Sequence, residues 1–292
     1  MRRLMFWTLA PNVLPLRVPF ARQLELASLY GFEALDLPMN LFLSRSRAWS
    51  PARIKEMYAA RELRCGGWQL PFNYERGDAE LAAGLKRLAP AARLARELGS
   101  PWCFSWIEPT SDELDYGANF ARYVSRLQAI ADVLGESDCR IGLEVIGPRT
   151  LFAGHPYVFV HTIPQGLELL SAVDRPNVGL LMDCFHWYTS HGTVAQIRGL
   201  SAADVVYVHL NDAVPGVDVD EQLDGVRLLP GASGLIDVTA FLRALDRIGY
   251  DGPVAVEPFS AELAAKPAPE RVCLAALSLK AVFDNAGLVR PA

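Results

Sequence analysis

Residues 205–257 read VVYVHLNDAVPGVDVDEQLDGVRLLPGASGLIDVTAFLRALDRIGYDGPVAVE, and they hold one complete repeat of the fold. Residues 205–209 are an apolar, β-branched run of strand length. Residues 238–248 read as a helix, with Gly249 where it should stop, and residues 254–257 form a second short apolar run. A strand, a helix and a strand in that order make a βαβ unit, whose two strands lie parallel. Outward from this unit the alternation covers the chain. Strands are expected at 4–9, 32–37, 65–70, 102–106, 140–145 and 178–183, besides 205–209 and 254–257. Helices are expected at 19–30, 51–63, 79–98, 118–134 and 238–248, with a closing helix at 270–285. Ser50 before Pro51 is an N-cap followed by proline at the first helical position, and Gly31 and Gly99, like Gly249, sit at expected helix ends.

Eight strands, each followed by a helix, leave two topologies: an open doubly wound sheet or a closed (β/α)8 barrel. Composition does not separate them. No G-x-G-x-x-G follows the first strand, which removes the usual reason to favour a dinucleotide fold. A chain of 292 residues, 51% hydrophobic and 21% charged, suits one barrel domain spanning residues 1–292. The net charge of -5 gives no pull toward nucleic acid or an anionic membrane surface. Five scattered cysteines without a CxxC pair read as reduced thiols of a cytoplasmic protein. The opening MRRLMFWTLAPNVLPL has a basic start and an apolar run, but Pro11 and Asn12 break that run and the fold needs it as a strand. No stretch approaches the roughly 18 apolar residues of a membrane span.

The chemistry concentrates at strand ends. Four consecutive strands finish GLEV, LLMD, VYVH and VAVE, on Glu144, Asp183, His209 and Glu257. A parallel strand buried on both faces favours apolar residues throughout, so a polar group closing each of four strands requires a reason. One acid or histidine alone is most simply a local cap or ion pair. Four in succession suit a shared cation, because in a closed barrel such ends meet at one rim. Three carboxylates and one imidazole fit one fairly hard divalent ion, Mn²⁺, Mg²⁺ or Co²⁺, with Zn²⁺ also compatible. Two long connections, 146–162 and 211–236, follow strand C-termini, the face on which barrel active sites are built.

The strings GLEV, NVGLLMDCFH, VVYVHLND, LPGASGLID and GYDGPVAVEP resemble those of the sugar phosphate isomerase/epimerase superfamily of xylose isomerase-like TIM barrels. That group contains ketose 3-epimerases, hydroxypyruvate isomerases, and inosose isomerases and dehydratases. The resemblance covers most of the chain and is strongest over 140–259. It implies a single barrel with Glu144, Asp183, His209 and Glu257 as metal ligands. It also implies proton transfer through a metal-stabilised enediolate, with Glu144 and Glu257 as acid and base.

By the same resemblance, His186 in DCFH and Arg227 before LPG bind substrate oxygens. The plainer alternatives are a histidine packed among Phe185 and Trp187, and a solvated loop arginine. Trp7 and Trp106, and less directly Trp68 and Phe259, are placed to wall a sugar pocket, although aromatics in such strands more often belong to the core. Asp212 is expected to orient His209 or a loop nitrogen. His155, His161 and His191 are expected at the surface or as caps, and Arg149 either at the surface or on an anionic substrate group. Strand two carries Asp36 where the family often has glutamate. The acid-rich stretch with Asp218, Asp220, Glu221 and Asp224 suggests a lid or a homo-oligomer contact.

The expected activity is a divalent-metal-dependent isomerase or epimerase of a keto-sugar or inosose. The partner is then a small sugar or polyol-derived molecule, leaning to an unphosphorylated one since no glycine-rich phosphate cradle is evident. Alternatives are a dehydratase using the same enediolate, an apurinic endonuclease and a silent sugar-binding barrel. The endonuclease would require more histidines and a basic face than five histidines and a charge of -5 provide.

Overall fold

The computed structural model describes residues 5–44 and 49–288. Its main sheet is a parallel ring, whose strands in chain order we label β1 (Phe6–Leu9), β2 (Ala34–Leu35), β3 (Arg64–Cys65 with Trp68–Gln69), β4 (Trp102–Ile107), β5 (Arg140–Val145), β6 (Val178–Asp183), β7 (Val205–Leu210) and β8 (Pro253–Val256). β1 pairs with both β2 and β8, and neighbours pair in sequence around the rest. The ring closes through β3. Its first segment pairs with β2 and its second with β4, so β3 belongs to both sides. The expected first strand began at Leu4, which lies outside the described residues.

The break in β3 is Gly66-Gly67, and crowding explains both glycines. A Cβ on Gly66 would come within 2.2 Å of Thr8 Oγ1, and one on Gly67 within 2.4 Å of the Tyr207 ring. The Gly67 N–H instead donates to Asp36 Oδ1 (2.8 Å). That buried carboxylate also accepts from the Thr8 hydroxyl and from Tyr207, each at 2.7 Å. Asp36 thus fastens β1, β3 and β7 to the end of β2. Burial pushes its carboxyl up to about 6 against the opposing pull of these donors.

Helices form the outer layer, among them Phe20–Leu29, Pro51–Ala59, Asp78–Glu97, Tyr116–Gly135, Ile163–Val173, Val238–Arg247 and Ala268–Ala286. Their ends follow local rules. The Ser50 side chain accepts from the Arg53 N–H, and Gly31, Gly99 and Gly249 take positive φ angles of 78°, 73° and 84°. The principal core lies between strands and helices. A smaller one inside the ring contains Phe104, Leu181, Tyr207 and Ala255. Among the described residues no helix is long and apolar enough to cross a membrane.

Candidate metal centre

Side chains alternate across a strand, so the residue two beyond an interior core residue returns to the interior. Leu181, Tyr207 and Ala255 fill one layer of the ring, and Asp183, His209 and Glu257 form the layer above. Glu144 joins from β5, in register with Leu181 of β6 and Trp106 of β4. One ligand-type atom from each of Glu144, Asp183, His209 and Glu257 lies within 4.8 Å of all the others, and all four residues are buried. His209 Nδ1 is 3.1 Å from Glu144 Oε1, 3.2 Å from Glu257 Oε2 and 3.9 Å from Asp183 Oδ2.

Three carboxylates in so small a volume create a demand for positive charge. Burial pushes the Asp183 and Glu144 carboxyls up, and the Glu257 charge adds to both. Burial works against a charged His209, but Glu257 and Glu144 outweigh it and hold the imidazole well above its usual range. Glu257 is held below the carboxylate range because His209 and Arg227 overcome its own burial. A divalent cation at this point would replace the proton on His209 Nδ1 and relieve the carboxylate repulsion, so the donor set fits such an ion. Among the described residues, His209 Nε2 is buried without a hydrogen-bond partner, so the ring's bonds all lie on its carboxylate side.

Arg227 lies inside this centre, not in solvent. Its Nη1 donates to Asp183 Oδ2 (3.0 Å) and Glu257 Oε2 (2.6 Å), its Nε donates to the Asp224 carbonyl (2.8 Å), and Nη2 meets the Asp224 carboxylate. The rings of Phe185 and Phe259 flank the guanidinium at 4.8 and 4.7 Å. Burial opposes its charge, while Glu257 and Asp183 hold it above the ordinary range. The arginine lines the cavity, and most of its donors engage the Asp183, Glu257 and Asp224 oxygens.

His186 is buried beside it. Its Nδ1 accepts from the Gly147 N–H (3.2 Å), and burial, aided by Arg227, keeps the ring neutral. The proton of that tautomer therefore sits on Nε2. The 3.2 Å approach of Arg227 Nη2 is then donor against donor, and the Asp224 and Glu144 carboxylates lie 3.7 and 3.9 Å from Nε2. Asp183 uses Oδ1 to cap the helix Cys184–Thr189, accepting from the N–H groups of Phe185 and His186. That single residue couples the end of β6 to the placement of His186.

Strand parity sorts the tryptophans and corrects one expectation. Trp106 follows Phe104 by two and faces the cavity, its Nε1 donating to Glu108 (2.7 Å). Trp7 does not wall the pocket. Thr8 is the inward residue of β1, bonded to Asp36, so Trp7 turns outward and packs edge-on against Phe283 at 5.5 Å. Trp68 is likewise outward and fully buried, donating to the Ser100 carbonyl (3.1 Å), while Phe259 lines the cavity.

Asp212 takes the loop alternative: it accepts from the N–H groups of Ala213, Ser233, Gly234 and Ile236 and does not touch His209. His155 and His191 are exposed partners of Asp112 and Asp220, and Arg149 reaches Asp220 at the surface. His161 is half-buried and bonds the Phe159 carbonyl.

Sequence reasoning missed Asn211. Its buried Nδ2 donates to both oxygens of Asp183 at 3.1 and 3.0 Å. The signal was present, since Asn211 is two residues beyond His209 and shares its face, whereas attention fell on the adjacent Asp212.

Residues 24–278 match the model of the xylose isomerase-like TIM barrel, and the chain belongs to that family. It is 30% identical over 149 residues to an inosose isomerase of Bacillus subtilis, which covers 51% of this chain and 50% of that one. It is 27% identical over 248 residues to a 3-dehydroshikimate dehydratase of Pseudomonas putida, covering 84% of this chain and 37% of that one. The matched region with the inosose isomerase thus spans about half that relative's length. Among solved structures, a xylose isomerase domain protein from Alicyclobacillus acidocaldarius superposes with a TM-score of 0.85 at 30% identity, covering 97% of this chain and 99% of the other.

Proposed function

We propose that the chain is a divalent-metal-dependent isomerase or epimerase acting on a keto-sugar or inosose. The observation that carries this reading is the meeting of Glu144 and Glu257 with Asp183 and His209 at one point, from strands three apart around the ring. The four residues would hold Mn²⁺, Mg²⁺, Co²⁺ or Zn²⁺, the oxygen-rich set favouring the harder ions. Such an ion supplies Lewis-acid polarisation of a substrate carbonyl and its neighbouring hydroxyl.

The residues of the chain do the rest. One glutamate removes the proton from the hydroxyl-bearing carbon next to the carbonyl. The other, as a carboxylic acid, delivers its own proton to the opposite face of that carbon for epimerisation, or the first returns the abstracted proton to the adjacent carbon for isomerisation. His186 would donate to a substrate oxygen, and Arg227 favours the charged forms of Asp183 and Glu257 and fixes their orientation. Trp106 and Phe259 wall the cavity and exclude water from the transfer. The same reading takes residues 1–292 as one cytoplasmic barrel domain with unpaired cysteines.

The test is solvent-deuterium incorporation into a panel of ketoses and keto-inositols with metal-loaded protein. Exchange at a carbon beside the carbonyl supports the proposal, and its absence across the panel counts against it. The dehydratase-type relative favours a second reading, in which loss of a proton is followed by expulsion of a β-hydroxyl. A new C=C absorbance in place of simple exchange would select it.

A further inference from the structure

A second cavity opens beside the carboxylate cluster on the same face of the barrel. The cavity at Glu144, His209 and Glu257 has a volume of about 360 Å³, and its neighbour, over the ends of β2, β3 and β4, about 350 Å³. Gln69, Ser105 and Trp106 line both, so they form the junction between the two. Each cavity alone reaches the lower end of the size range of small-molecule sites, about 300–1,000 Å³. A single monosaccharide at the carboxylates would leave the neighbour empty.

The lining of the second cavity describes what it would take. Ser105 is only 6% exposed, yet its hydroxyl, like the half-buried Gln69 amide, makes no hydrogen bond among the described residues. Asn40 and Asn73 lie at the rim with Glu75 between the rim and the floor, and Phe72 and Trp106 add aromatic surface. Among the described residues no lysine, arginine or histidine lines it. The walls are pre-formed. Tyr74 donates through its hydroxyl to the Trp106 carbonyl (2.6 Å), and the buried Arg126 holds the Tyr74 carbonyl at 2.7 Å. Burial pushes the Glu75 carboxyl up to about 7 against the pull of Tyr123 and the nearby Arg122, and the described lining carries acid and amide groups.

Resting on the sugar reading above, we propose that this cavity is a second subsite for a neutral, hydroxyl-rich ring joined to the ring at the carboxylate cluster. The substrate is then a two-ring, glycoside-type molecule. Amides and a free hydroxyl suit sugar hydroxyls, which both donate and accept, and an aromatic face suits the apolar side of a ring. A phosphate or carboxylate on the second unit would meet Glu75 and, among the described lining residues, no cation.

The test compares D-fructose with isomaltulose, which carries the same keto end and a glucosyl ring on O6, by calorimetric titration of the Mn²⁺-loaded protein. Wild type should bind isomaltulose at least about ten-fold more tightly, the gain of one or two added hydrogen bonds. Asn40→Trp, at an exposed rim position, should abolish that advantage and leave fructose binding unchanged. Asn73→Trp at another rim position should do the same, and thermal unfolding of both variants verifies their folding. Fructose binding with no isomaltulose advantage, or an advantage that survives both blocks, overturns the second subsite and leaves the sugar reading intact. Binding of neither sugar overturns both.

Discussion

The barrel mouth has two unlike halves. On β5–β8 the interior strand-end side chains are Glu144, Asp183, His209 and Glu257, buried and bonded to one another or to Arg227 and Asn211. On β3 and β4 the corresponding groups are Gln69 and Trp106 beside Ser105, and two of these three have no hydrogen-bond partner among the described residues. The first half has its electrostatics settled before any ligand arrives. The second offers open donors and acceptors at a pre-shaped wall. Chemistry and recognition are thus divided between opposite arcs of the same ring, with Trp106 at their boundary.

The largest effect should come from breaking the charged half. Glu257→Gln and Glu144→Gln each remove a proton-transfer group, and loss of roughly 10²–10⁴-fold in deuterium exchange is expected with near-native circular dichroism. Variants that retain full exchange would remove the acid–base assignment. Next is Arg227→Met, which strips the counter-charge from Asp183 and Glu257. Urea unfolding in EDTA should show destabilisation of about 3–5 kcal/mol, the usual result of stranding a buried charge. Added divalent metal should recover much of it.

In the open half the effects are smaller and follow pH. Glu75 has its carboxyl raised to about 7 when folded, from an ordinary 4.5. The folded state therefore holds that proton more tightly, so its contribution is full below about pH 4.5 and is lost as pH rises through 7. Wild type should lose up to roughly 3 kcal/mol relative to Glu75→Gln between pH 4.5 and 8, read by urea midpoints. A constant difference would show that Glu75 titrates normally. The smallest effect is at the boundary. Trp106→Ala should raise KM by about ten-fold through lost ring contact, whereas Trp7→Phe, outside the cavity, should leave KM unchanged.

The charged half was far more legible in the sequence than the open one. Glu144, Asp183, His209 and Glu257 each end an apolar run, so hydrophobic pattern alone marks them as exceptions. Trp7 was misplaced because the direction of a side chain in a four-residue strand depends on a register shift of one, which only the Thr8–Asp36 bond reveals. The division of β3 at Gly66-Gly67 reflects the approach of Thr8 and Tyr207, contacts between residues distant in sequence. The second cavity draws on loops after β1, β2 and β3, whose polar composition carries no periodic signal. Arg227 could be read either way from its loop, and its burial is decided by Asp183, Glu257 and two phenylalanine rings contributed from elsewhere in the chain.

The shared cation site is the central claim, and titration of EDTA-treated protein with Mn²⁺ tests it most directly, in wild type and in Asp183→Asn, which keeps an oxygen for the helix cap. One ion per chain in wild type, with affinity lowered by at least about ten-fold in Asp183→Asn, is the expected result. Absence of stoichiometric binding, or equal affinity in the two proteins, would contradict it.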